Sequence, residues 1–342
     1  MTLLANHFSR KGYNVSMILI REKEEVYEVD DNIELIRFHY TNKSKIRIAL
    51  KRYIKLRQIL RNKKYDAVVS FMYDINIFVL LSNIGMGQPI FVSERANPLD
   101  RDNIFDSSKL YRYIECQLYK KATGIILQTE KIRNAYPQFL QKKIMIIPNP
   151  INANDIIPYH EEKKDKIVAV GRLTEQKNYR LLIYAFEEFV KNYPNYILEI
   201  YGEGELRQQL ETQIAEAKLE NRVFLKGYVA DVLNMIKDAK MYISSSNYEG
   251  ISNSMLEAMA LGIPCICTDC PVGGAAFVID NGINGILIPM NNISALKKNM
   301  CRLAENEELR KKIGKSAEQV RERFSLESIA AEWEEVLIKR SN

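Results

Sequence analysis

The sequence predicts an α/β protein built from two doubly wound domains, each a parallel sheet with helices on both faces. Short apolar runs typical of buried parallel strands alternate with longer segments of helical periodicity along nearly the whole chain. The 342 residues are enough for two domains of about 150 residues each. Apolar residues make up 46% of the sequence and charged residues 27%, which is typical of globular proteins and argues against global disorder.

The first half of the chain alternates between predicted strands and helices. The strands are predicted over residues 15–20, 33–40, 66–71, 89–93, 124–128 and 144–147. The helices are predicted before Gly12 and over residues 42–64, 74–85, 108–121 and 130–139. A doubly wound domain normally begins with a strand, whereas this sequence begins within a helix. We therefore expect the first domain to lack its first strand.

The second half repeats the same alternation after a linker. Pro148-Asn149-Pro150 and the polar residues that follow mark the linker, so the first domain is predicted over 1–150 and the second over 151–325. Strands are predicted over residues 167–170, 196–201, 223–226, 241–243 and 265–268, and helices over 253–261, 294–305, 307–324 and 326–339. The last helix belongs to a C-terminal segment, residues 326–342.

A basic segment covers residues 42–64, with ten Lys and Arg side chains and no acidic ones. Apolar residues are interleaved at helical spacing, which predicts a basic amphipathic helix. Such a helix can lie on an anionic membrane surface, or it can be a crossover helix with a solvated charged face, because a strand follows at once. The two interpretations are compatible. Nucleic acid is not an expected partner, because no platform of aromatic residues accompanies the charge.

Cysteine usage and hydropathy narrow the class of protein further. The five cysteines are odd in number and mostly clustered, which argues against a disulfide framework. Residues 264–268 read as an alternating core strand, and no fourth ligand has suitable spacing, so no metal site is predicted. No apolar run approaches the roughly 18 residues of a transmembrane helix, and residues 1–10 lack the apolar core of a signal peptide. A cytoplasmic location is expected.

Two acidic residues stand out in the stretch from Met241 to Pro264. The helix predicted over 253–261 is apolar around nearly its whole circumference, yet it contains Glu257. A buried carboxylate needs hydrogen-bond donors, and ribose hydroxyls would serve, although a loop N–H or an arginine would serve as well. Glu249 lies eight residues earlier, next to Gly250 and the helix N-terminus, whose free N–H groups could bind an anion. Alternatively, Glu249 is an ordinary solvent-exposed acid of the loop.

Together the two residues resemble the Glu-x7-Glu signature of the retaining glycosyltransferases called family 4. The resemblance implies the GT-B fold, with two Rossmann-like doubly wound domains facing a cleft. It implies that Glu249 touches hydroxyls of the donor sugar and that Glu257 touches the ribose. It further implies that helix 326–342 crosses back to the first domain, although packing against its own domain stays open.

A second motif, Gly171-Arg172-Leu173-Thr174-Glu175-Gln176-Lys177-Asn178, follows the first strand of the second domain. A glycine that allows close approach and two cations five residues apart precede a helix. This motif resembles the donor-diphosphate clamp of the same family. The resemblance implies that Arg172 and Lys177 offset the charge on the leaving phosphate, and that with Glu249 they form the catalytic set.

The resemblance extends to the rest of the donor site and to an acceptor side. The implied donor-site residues are Gly171, Gly202, Tyr228, Gly250, Ile251, Ser252, Asn253, Ser254 and Glu257. Ser93-Glu94-Arg95 and Pro98 resemble a turn in family members that extend lipid-linked oligosaccharides, which implies an acceptor-side position for Glu94 and Arg95. These two could instead pair with each other, and the histidine that many members have near this turn is missing here.

These observations predict a retaining glycosyltransferase of polysaccharide synthesis. It would move a hexose or N-acetylhexosamine from a nucleotide diphosphate sugar, expected to be a UDP-sugar, to a glycan or lipid-linked acceptor. No Asp-x-Asp pair stands where a cation would bridge the phosphates, so a metal-independent reaction without cofactors is expected. Peripheral contact with the inner face of the plasma membrane through 42–64 is a further expectation. The alternative is a truncated, inactive protein that only binds a nucleotide sugar.

Overall fold

The computed structural model describes residues 1–20, 28–39, 44–95 and 108–341. The chain divides into two compact units. One consists of Met1–Pro150 with Leu326–Asn342, and the other of Ile151–Ser325. Both are α/β, and every pair of neighbouring strands in their sheets is parallel. The predicted α/β class with doubly wound domains is confirmed.

The first unit places helices around short strands. Its helices are α1 (Thr2–Arg10), α2 (Lys45–Asn62), α3 (Tyr73–Ser82), α4 (Ser108–Tyr119), α5 (Glu130–Arg133) and α14 (Leu326–Ser341). Its strands are β1 (Ser16–Leu19), β2 (Glu34–Arg37), β3 (Val68–Phe71), β4 (Ile90–Ser93), β5 (Gly124–Leu127) and β6 (Ile144–Ile146). The helix predicted over 130–139 is α5 followed by a separate 3-10 helix, Gln138–Lys143, because Pro137 separates them.

The strands of the first unit form two separate sheets among the described residues. β1 pairs only with β2, while β3, β4, β5 and β6 form a four-stranded sheet in that order. β4 and β5 are buried along their whole length, as in sheets covered on both faces. The core against the larger sheet joins Leu4 of α1 and Trp333 of α14 to Phe91 and Ile126. The C-terminal helix is therefore part of this unit's core.

The second unit is a six-stranded sheet covered by helices. Its strands are β7 (Lys164–Val170), β8 (Ile197–Tyr201), β9 (Val223–Gly227), β10 (Ala239–Ser244), β11 (Cys265–Thr268) and β12 (Ile286–Ile288). Its helices are α6 (Tyr179–Val190), α7 (Arg207–Glu216), α8 (Val232–Ile236), α9 (Asn253–Ala260), α10 (Gly274–Val278), α11 (Ile293–Glu305), α12 (Glu307–Ala317) and α13 (Val320–Arg323). The single helix predicted over 307–324 is thus two helices.

The strand order of the second unit creates a switch point. The order is β12-β11-β10-β7-β8-β9, so the chain builds outward in one direction from β7 and then in the other from β10. Alternate residues of the strands point to opposite faces of the sheet and join two separate hydrophobic cores. On one face Ile167 and Met241 pack with α6, α7 and α11, and on the other Val168 and Tyr242 pack with α8 and α9. Ligands of open α/β sheets bind at the carboxyl ends of the strands, where such an order reverses.

Candidate functional site

The residues predicted to bind the donor lie on loops at the carboxyl ends of β7, β8 and β10. The loop after β7 carries residues 171–178, and the loop after β10 carries residues 245–252. Both flank the switch point between neighbouring parallel strands, so the sheet itself sets their separation. All of these residues belong to the second unit.

Lys177 and Glu249 form an ion pair at this edge. The Lys177 ammonium donates a hydrogen bond to Oε2 of Glu249, and the side chains retain only 14% and 21% of their exposure. The hydroxyl of Ser246 donates to the same carboxylate oxygen over 3.2 Å. Two residues 72 positions apart in the sequence therefore share one small, poorly solvated volume.

The pair requires a residue without a side chain at position 171. A Cβ on Gly171 would lie 2.7 Å from Cε of Lys177 and 2.9 Å from the hydroxyl of Tyr179. That hydroxyl is buried without a hydrogen-bond partner in the described structure, and burial together with the charge of Glu249 raises its pKa. The lysine stem thus passes directly over the glycine on its way to Glu249.

Hydrogen bonds join the two loops along their length. The N–H of Asn247 donates to the carbonyl of Gln176 over 2.8 Å, and Nε2 of Gln176 donates to the carbonyl of Tyr248 over 3.1 Å. Nδ2 of Asn178 donates to Oδ1 of Asn247 over 2.9 Å, and the hydroxyl of Ser245 donates to the carbonyls of Lys177 and Asn178. These hydrogen bonds between the two loops hold Glu249 close to Lys177.

The N-terminus of α9 lies against the end of β7. The Ser254 hydroxyl donates to the carbonyl of Val170 over 3.1 Å and is hydrogen-bonded to the hydroxyls of Tyr242 and Ser252. The preceding loop is packed so closely that a Cβ on Gly274 would lie 1.9 Å from the carbonyl oxygen of Gly250. Ile251 and Ser252 are buried, and Asn253 is exposed. The donor-site residues predicted over 250–254 are thus contiguous with the loop after β7.

Glu257 lies one turn further along α9, on the side of Ser254. Its side chain is half-buried, and no hydrogen bond or ion pair to its carboxylate occurs within the described residues. Burial alone raises its pKa to about 7. A carboxylate that lacks protein donors in such a position is open to donors from a ligand.

The remaining predicted donor residues occupy the adjacent strand ends. Gly202 has φ +139°, and a Cβ there would lie 2.0 Å from the carbonyl oxygen of Gly171, so the two backbones touch. The N–H of Gly202 donates to the carbonyl of Gly227, and Tyr228, the next residue, is 71% exposed. Arg172 is exposed and makes no ion pair in the part of the chain that the structure describes. Its side chain is free to meet an anion.

The structure surrounds Glu94 and Arg95 with partners from the first unit. Glu94 is fully buried, where its carboxylate accepts hydrogen bonds from Nδ2 of Asn76 and from the hydroxyl of Tyr119. In the described structure both hydrogen bonds to this carboxylate come from side chains of the first unit, and an acceptor-side role for Glu94 stays a prediction. Arg95 lies over the rings of Phe71 and Trp333 and donates to a main-chain carbonyl. Residues 96–98 of the predicted turn lie outside the described residues.

The site also includes side chains that sequence reasoning did not single out. Ser246, Asn178 and Asn247 organise the ion pair and its loops, and Tyr179 lies beneath them. Asn178 could have been found, because a left-handed residue before a helix is often Asn, and it has φ 47° here. The Thr268 hydroxyl and the Cys270 thiol, at and after the end of β11, donate hydrogen bonds to the carbonyl of Ser246. The sequence alone does not indicate these contacts, because they join separate strands of the sheet.

The described residues contain no cluster of three or more His, Cys, Asp or Glu side chains that could hold a metal ion. The five cysteines are free. Cys265 and Cys267 lie in β11 and are buried in the sheet core, as expected for a core strand.

Two protein families match consecutive parts of this chain. The family described as Glycosyltransferase Family 4 matches residues 1–155, and the family described as Glycosyl transferases group 1 matches residues 152–320. The boundary between the two matches falls where the chain passes from the first unit to the second.

Individual proteins are similar over much of the chain. A Campylobacter jejuni enzyme, GalNAc-alpha-(1->4)-GalNAc-alpha-(1->3)-diNAcBac-PP-undecaprenol alpha-1,4-N-acetyl-D-galactosaminyltransferase, is 25% identical over 97% of this chain and 92% of its own length. A Staphylococcus aureus TarM mutant, solved with Fondaparinux, alpha-GlcNAc-glycerol and UDP, has a TM-score of 0.72 and 25% identity over 84% of this chain. This chain spans 59% of that structure's length. Sucrose-phosphate synthase from Thermosynechococcus elongatus, at 17% identity over 98% of this chain and 91% of its own, has a TM-score of 0.84 and shows the fold alone.

Proposed function

Because the chain belongs to family 4 of the glycosyltransferases and has the GT-B fold, we propose that it transfers a hexose or N-acetylhexosamine from a UDP-sugar to a glycan or lipid-linked acceptor. The transfer would retain the configuration at the anomeric carbon and would serve polysaccharide synthesis. The observation that carries the proposal is the convergence of Lys177, Glu249 and the N-terminus of α9 at the switch point of one sheet.

The charges at this edge suit a sugar diphosphate. Lys177 and the unpaired Arg172 offer cations to the two phosphates, and backbone N–H groups at the start of α9 add partial positive charge. Glu249 offers carboxylate oxygens to sugar hydroxyls, and Glu257 offers its carboxylate to the ribose. In the free protein the Lys177 ammonium neutralises Glu249, so both charges are held in place before a donor arrives.

The reaction that fits these groups is attack by the acceptor from the same face as the departing diphosphate. The acceptor oxygen forms a bond to the anomeric carbon while the bond from that carbon to the phosphate oxygen breaks. The acceptor proton moves to the leaving phosphate oxygen. Arg172 and Lys177 stabilise the charge that develops there, a type of contribution that is worth about two to three powers of ten in rate per donor group. Glu249 orients hydroxyls and is not the base.

We propose that the reaction needs neither a metal ion nor a cofactor. The support is the chemistry of the side chains near the proposed phosphate position, where cations and N–H groups stand instead of paired carboxylates. A divalent cation would compete with Lys177 for Glu249 and would gain only one carboxylate ligand. Turnover should therefore be unchanged by a chelator.

A lipid-linked acceptor is favoured by the Campylobacter relative, whose name describes transfer to an undecaprenol diphosphate sugar. We propose a cytoplasmic location, with the enzyme working at the inner face of the plasma membrane where such acceptors and UDP-sugars meet. No helix among the described residues has the length and apolar character needed to cross a bilayer.

A thermal-shift panel of UDP, GDP, ADP and their sugars tests donor binding without knowledge of the acceptor. Because a ligand that binds only the folded state stabilises it in proportion to RT ln(1 + [L]/Kd), UDP and UDP-sugars should raise Tm more than the other nucleotides. Equal shifts for all three bases would leave the base unassigned and contradict the UDP proposal.

Turnover assays test the proposed diphosphate clamp formed by Arg172 and Lys177. Arg172→Ala and Lys177→Ala should each lower the turnover rate by about a hundredfold or more, with the exposed Lys298→Ala as matched control. Since Lys177→Ala leaves Glu249 unpaired, Lys177→Ala with Glu249→Gln should recover the folding stability but not the turnover. Wild-type rates in both single variants would exclude the clamp.

A protein that binds the donor without transferring it is the second candidate. The observation that favours it is that the described strands of the first unit form two separate sheets. A single-turnover assay with radiolabelled UDP-sugar and an excess of enzyme separates the two. Product formation supports the enzyme, and donor binding without product supports the binding protein.

A further inference from the structure

We propose that the Tyr179 hydroxyl is a positioning group of the donor site, which donates a hydrogen bond to the Glu249 carboxylate once the donor diphosphate has drawn the Lys177 ammonium away. The inference rests on the proposed function, because it takes Lys177 to meet phosphate and Glu249 to meet sugar hydroxyls. Tyr179 directly follows the motif of residues 171–178 and was not among the residues predicted from the sequence.

Tyr179 is the first residue of α6, and its ring belongs to the core of the second unit. The residue is 3% exposed and packs in the same core as Ile167 and Met241 of the central strands. Its hydroxyl reaches the edge of that core at Gly171, where a Cβ would lie 2.9 Å from the oxygen. Packing therefore holds the ring in place, and the hydroxyl is presented to the loop after β7.

The hydroxyl lies beside the end of the Lys177 side chain. Cε of Lys177 and the Tyr179 oxygen lie 2.7 Å and 2.9 Å from the same point, the position that a Cβ on Gly171 would take. The Lys177 ammonium, one bond beyond Cε, is hydrogen-bonded to Oε2 of Glu249. The phenolic hydroxyl is thus next to the side chain that neutralises Glu249 in the free protein.

The Tyr179 hydroxyl has no hydrogen-bond partner among the described residues, although it is buried. Burial and the charge of Glu249 both raise the pKa of this hydroxyl, so it keeps its proton at neutral pH and is available as a donor. A dominant ammonium would lower the pKa instead. Of the two charges in the ion pair, the carboxylate therefore acts more strongly on the hydroxyl.

Donor binding changes the partners of Glu249 in the proposed reaction. In the free protein its Oε2 accepts hydrogen bonds from the Lys177 ammonium and, over 3.2 Å, from the Ser246 hydroxyl. When Lys177 turns to the diphosphate, the carboxylate loses its cation in a poorly solvated place, where an ionised group needs donors. Because hydrogen bonds to charged acceptors are stronger than those between neutral groups, the unused hydroxyl of Tyr179 is suited to replace the ammonium.

Core packing alone does not require this hydroxyl. A phenylalanine would fill the same volume without burying a polar group that lacks a partner, and such a group costs folding free energy. Tyr65 provides a matched comparison, because its hydroxyl is also buried without a partner in the described structure. Tyr65 belongs to the first unit, which contains none of the donor-site residues.

Urea unfolding without any ligand tests the hydrogen bond itself. Lys177→Ala imitates the departure of the ammonium, so in that variant the hydroxyl should already serve Glu249. Tyr179→Phe should leave the unfolding midpoint of the wild type unchanged or raise it, but should lower the midpoint of Lys177→Ala. Tyr65→Phe should have the same effect in both backgrounds. Equal effects of Tyr179→Phe in the two backgrounds would overturn the proposal and leave the proposed function untouched, because no donor is present.

Calorimetric titration of UDP and of uridine is the second measurement, and it does not depend on the folding of any Lys177 variant. UDP carries the diphosphate that draws Lys177 from Glu249, whereas uridine does not. Tyr179→Phe should therefore raise the Kd of UDP about tenfold and leave that of uridine unchanged. Tyr65→Phe should change neither Kd.

A purely structural role for the Tyr179 hydroxyl would change the Kd of UDP and of uridine alike, or would change neither. Either result, with UDP still bound by the wild type, would overturn the proposal. Failure of the wild type to bind UDP would contradict the proposed function, and with it the role of Tyr179 in donor binding. The two kinds of failure are therefore distinguished by the wild-type titration.

Discussion

Glu257 is a carboxylate whose position costs the free protein stability when it is ionised. Its pKa is raised to about 7 by burial, against 4.5 for an ordinary glutamate. A raised carboxyl pKa means that the folded state binds more protons than the unfolded state between those two values. Stability from this residue is therefore complete below about pH 4.5, falls as the pH rises to about 7, and is constant above.

Glu257→Gln should remove this pH dependence, because an amide cannot ionise. At pH 8 the variant should be more stable than the wild type by on the order of 1 kcal/mol, since part of the burial cost is screened by solvent. At pH 4.5 the two proteins should be equally stable. Urea unfolding at both pH values measures the difference. A constant difference across the range would contradict burial as the cause of the raised pKa.

The same substitution should weaken donor binding if the ribose uses this carboxylate. Exchange of a charged for a neutral acceptor should raise the Kd of UDP about tenfold at pH 8. Calorimetric titration of UDP measures this change in Kd. An unchanged Kd would remove Glu257 from the proposed site while leaving its effect on stability intact.

Gly202 tests how closely the strand ends are packed. In Gly202→Ala the new Cβ would start 2.0 Å from the carbonyl oxygen of Gly171, so one of two backbones must move. We expect a loss of about 3 kcal/mol or more in the free energy of unfolding, together with weaker UDP binding.

Gly282→Ala is the matched control for this substitution. Gly282 also has a positive φ, +81°, but a Cβ there meets nothing within 4 Å. The alanine should therefore cost only about 1 kcal/mol in the free energy of unfolding, from backbone strain alone. Equal losses in the two variants would show that strain, and not the clash with Gly171, is responsible.

At the level of elements, Asn178 both starts α6 and joins the two loops of the site. It is left-handed, its Oδ1 accepts from the N–H of Leu181, and its Nδ2 donates to Asn247 and to Asn291. Asn178→Ala should cost about 2–3 kcal/mol of stability, because it loses a cap and two hydrogen bonds and strains the backbone.

The control is Asn292, which caps α11 in the same way with an ordinary φ of −110°. Asn292→Ala should cost about 1 kcal/mol. Asn178→Gly should be milder than Asn178→Ala, because glycine tolerates the left-handed conformation. Thermal unfolding with UDP titration follows both stability and the site. Similar costs at 178 and 292 would contradict a joining role for Asn178.

Most strands and long helices of both units could be predicted because their sequence periods are strong. β4 and β5 are short apolar runs that are buried on both faces, and α9 is apolar with a stop at Gly262. Division of the helix predicted over 307–324 into α12 and α13 could not be foreseen, because residues 318–319 lack any glycine or proline to mark the break. β12, Ile286–Ile288, is a further short strand that was not among the predicted elements.

Part of the candidate site could also be predicted from the sequence. Lys177, Glu249 and Glu257 were predicted from their spacing and resemblance, and the structure brings the first two into contact. Their supports could not be predicted, because Ser246, Asn247 and Thr268 act through contacts between loops that are distant in sequence. Glu94 was predicted on the acceptor side from the resemblance of its turn to that of other family members. Its partners Asn76 and Tyr119 lie on other elements, so its burial could not be foreseen.

At the scale of the whole molecule, the order of strands converts a sequence pattern into a binding site. Strands β7 and β10 are neighbours in the sheet, although two strands and three helices lie between them in the sequence. Only this pairing brings residue 177 to residue 249. The net charge is also uneven, because residues 1–150 carry +10 and the remaining residues carry −4, which together give the net +6 of the chain. The positive excess therefore lies in the half of the chain without the donor-site residues.

Calorimetric titration of UDP into the wild type and into Arg172→Ala, Lys177→Ala and Lys298→Ala tests the central claim most directly. The account predicts that UDP binds the wild type and Lys298→Ala alike, whereas each of the other two variants loses about tenfold or more in affinity, because each loses a charged partner of the diphosphate. Uridine, which has no phosphate, should bind all four proteins equally. Unchanged UDP affinity in both Arg172→Ala and Lys177→Ala would contradict the proposed donor site.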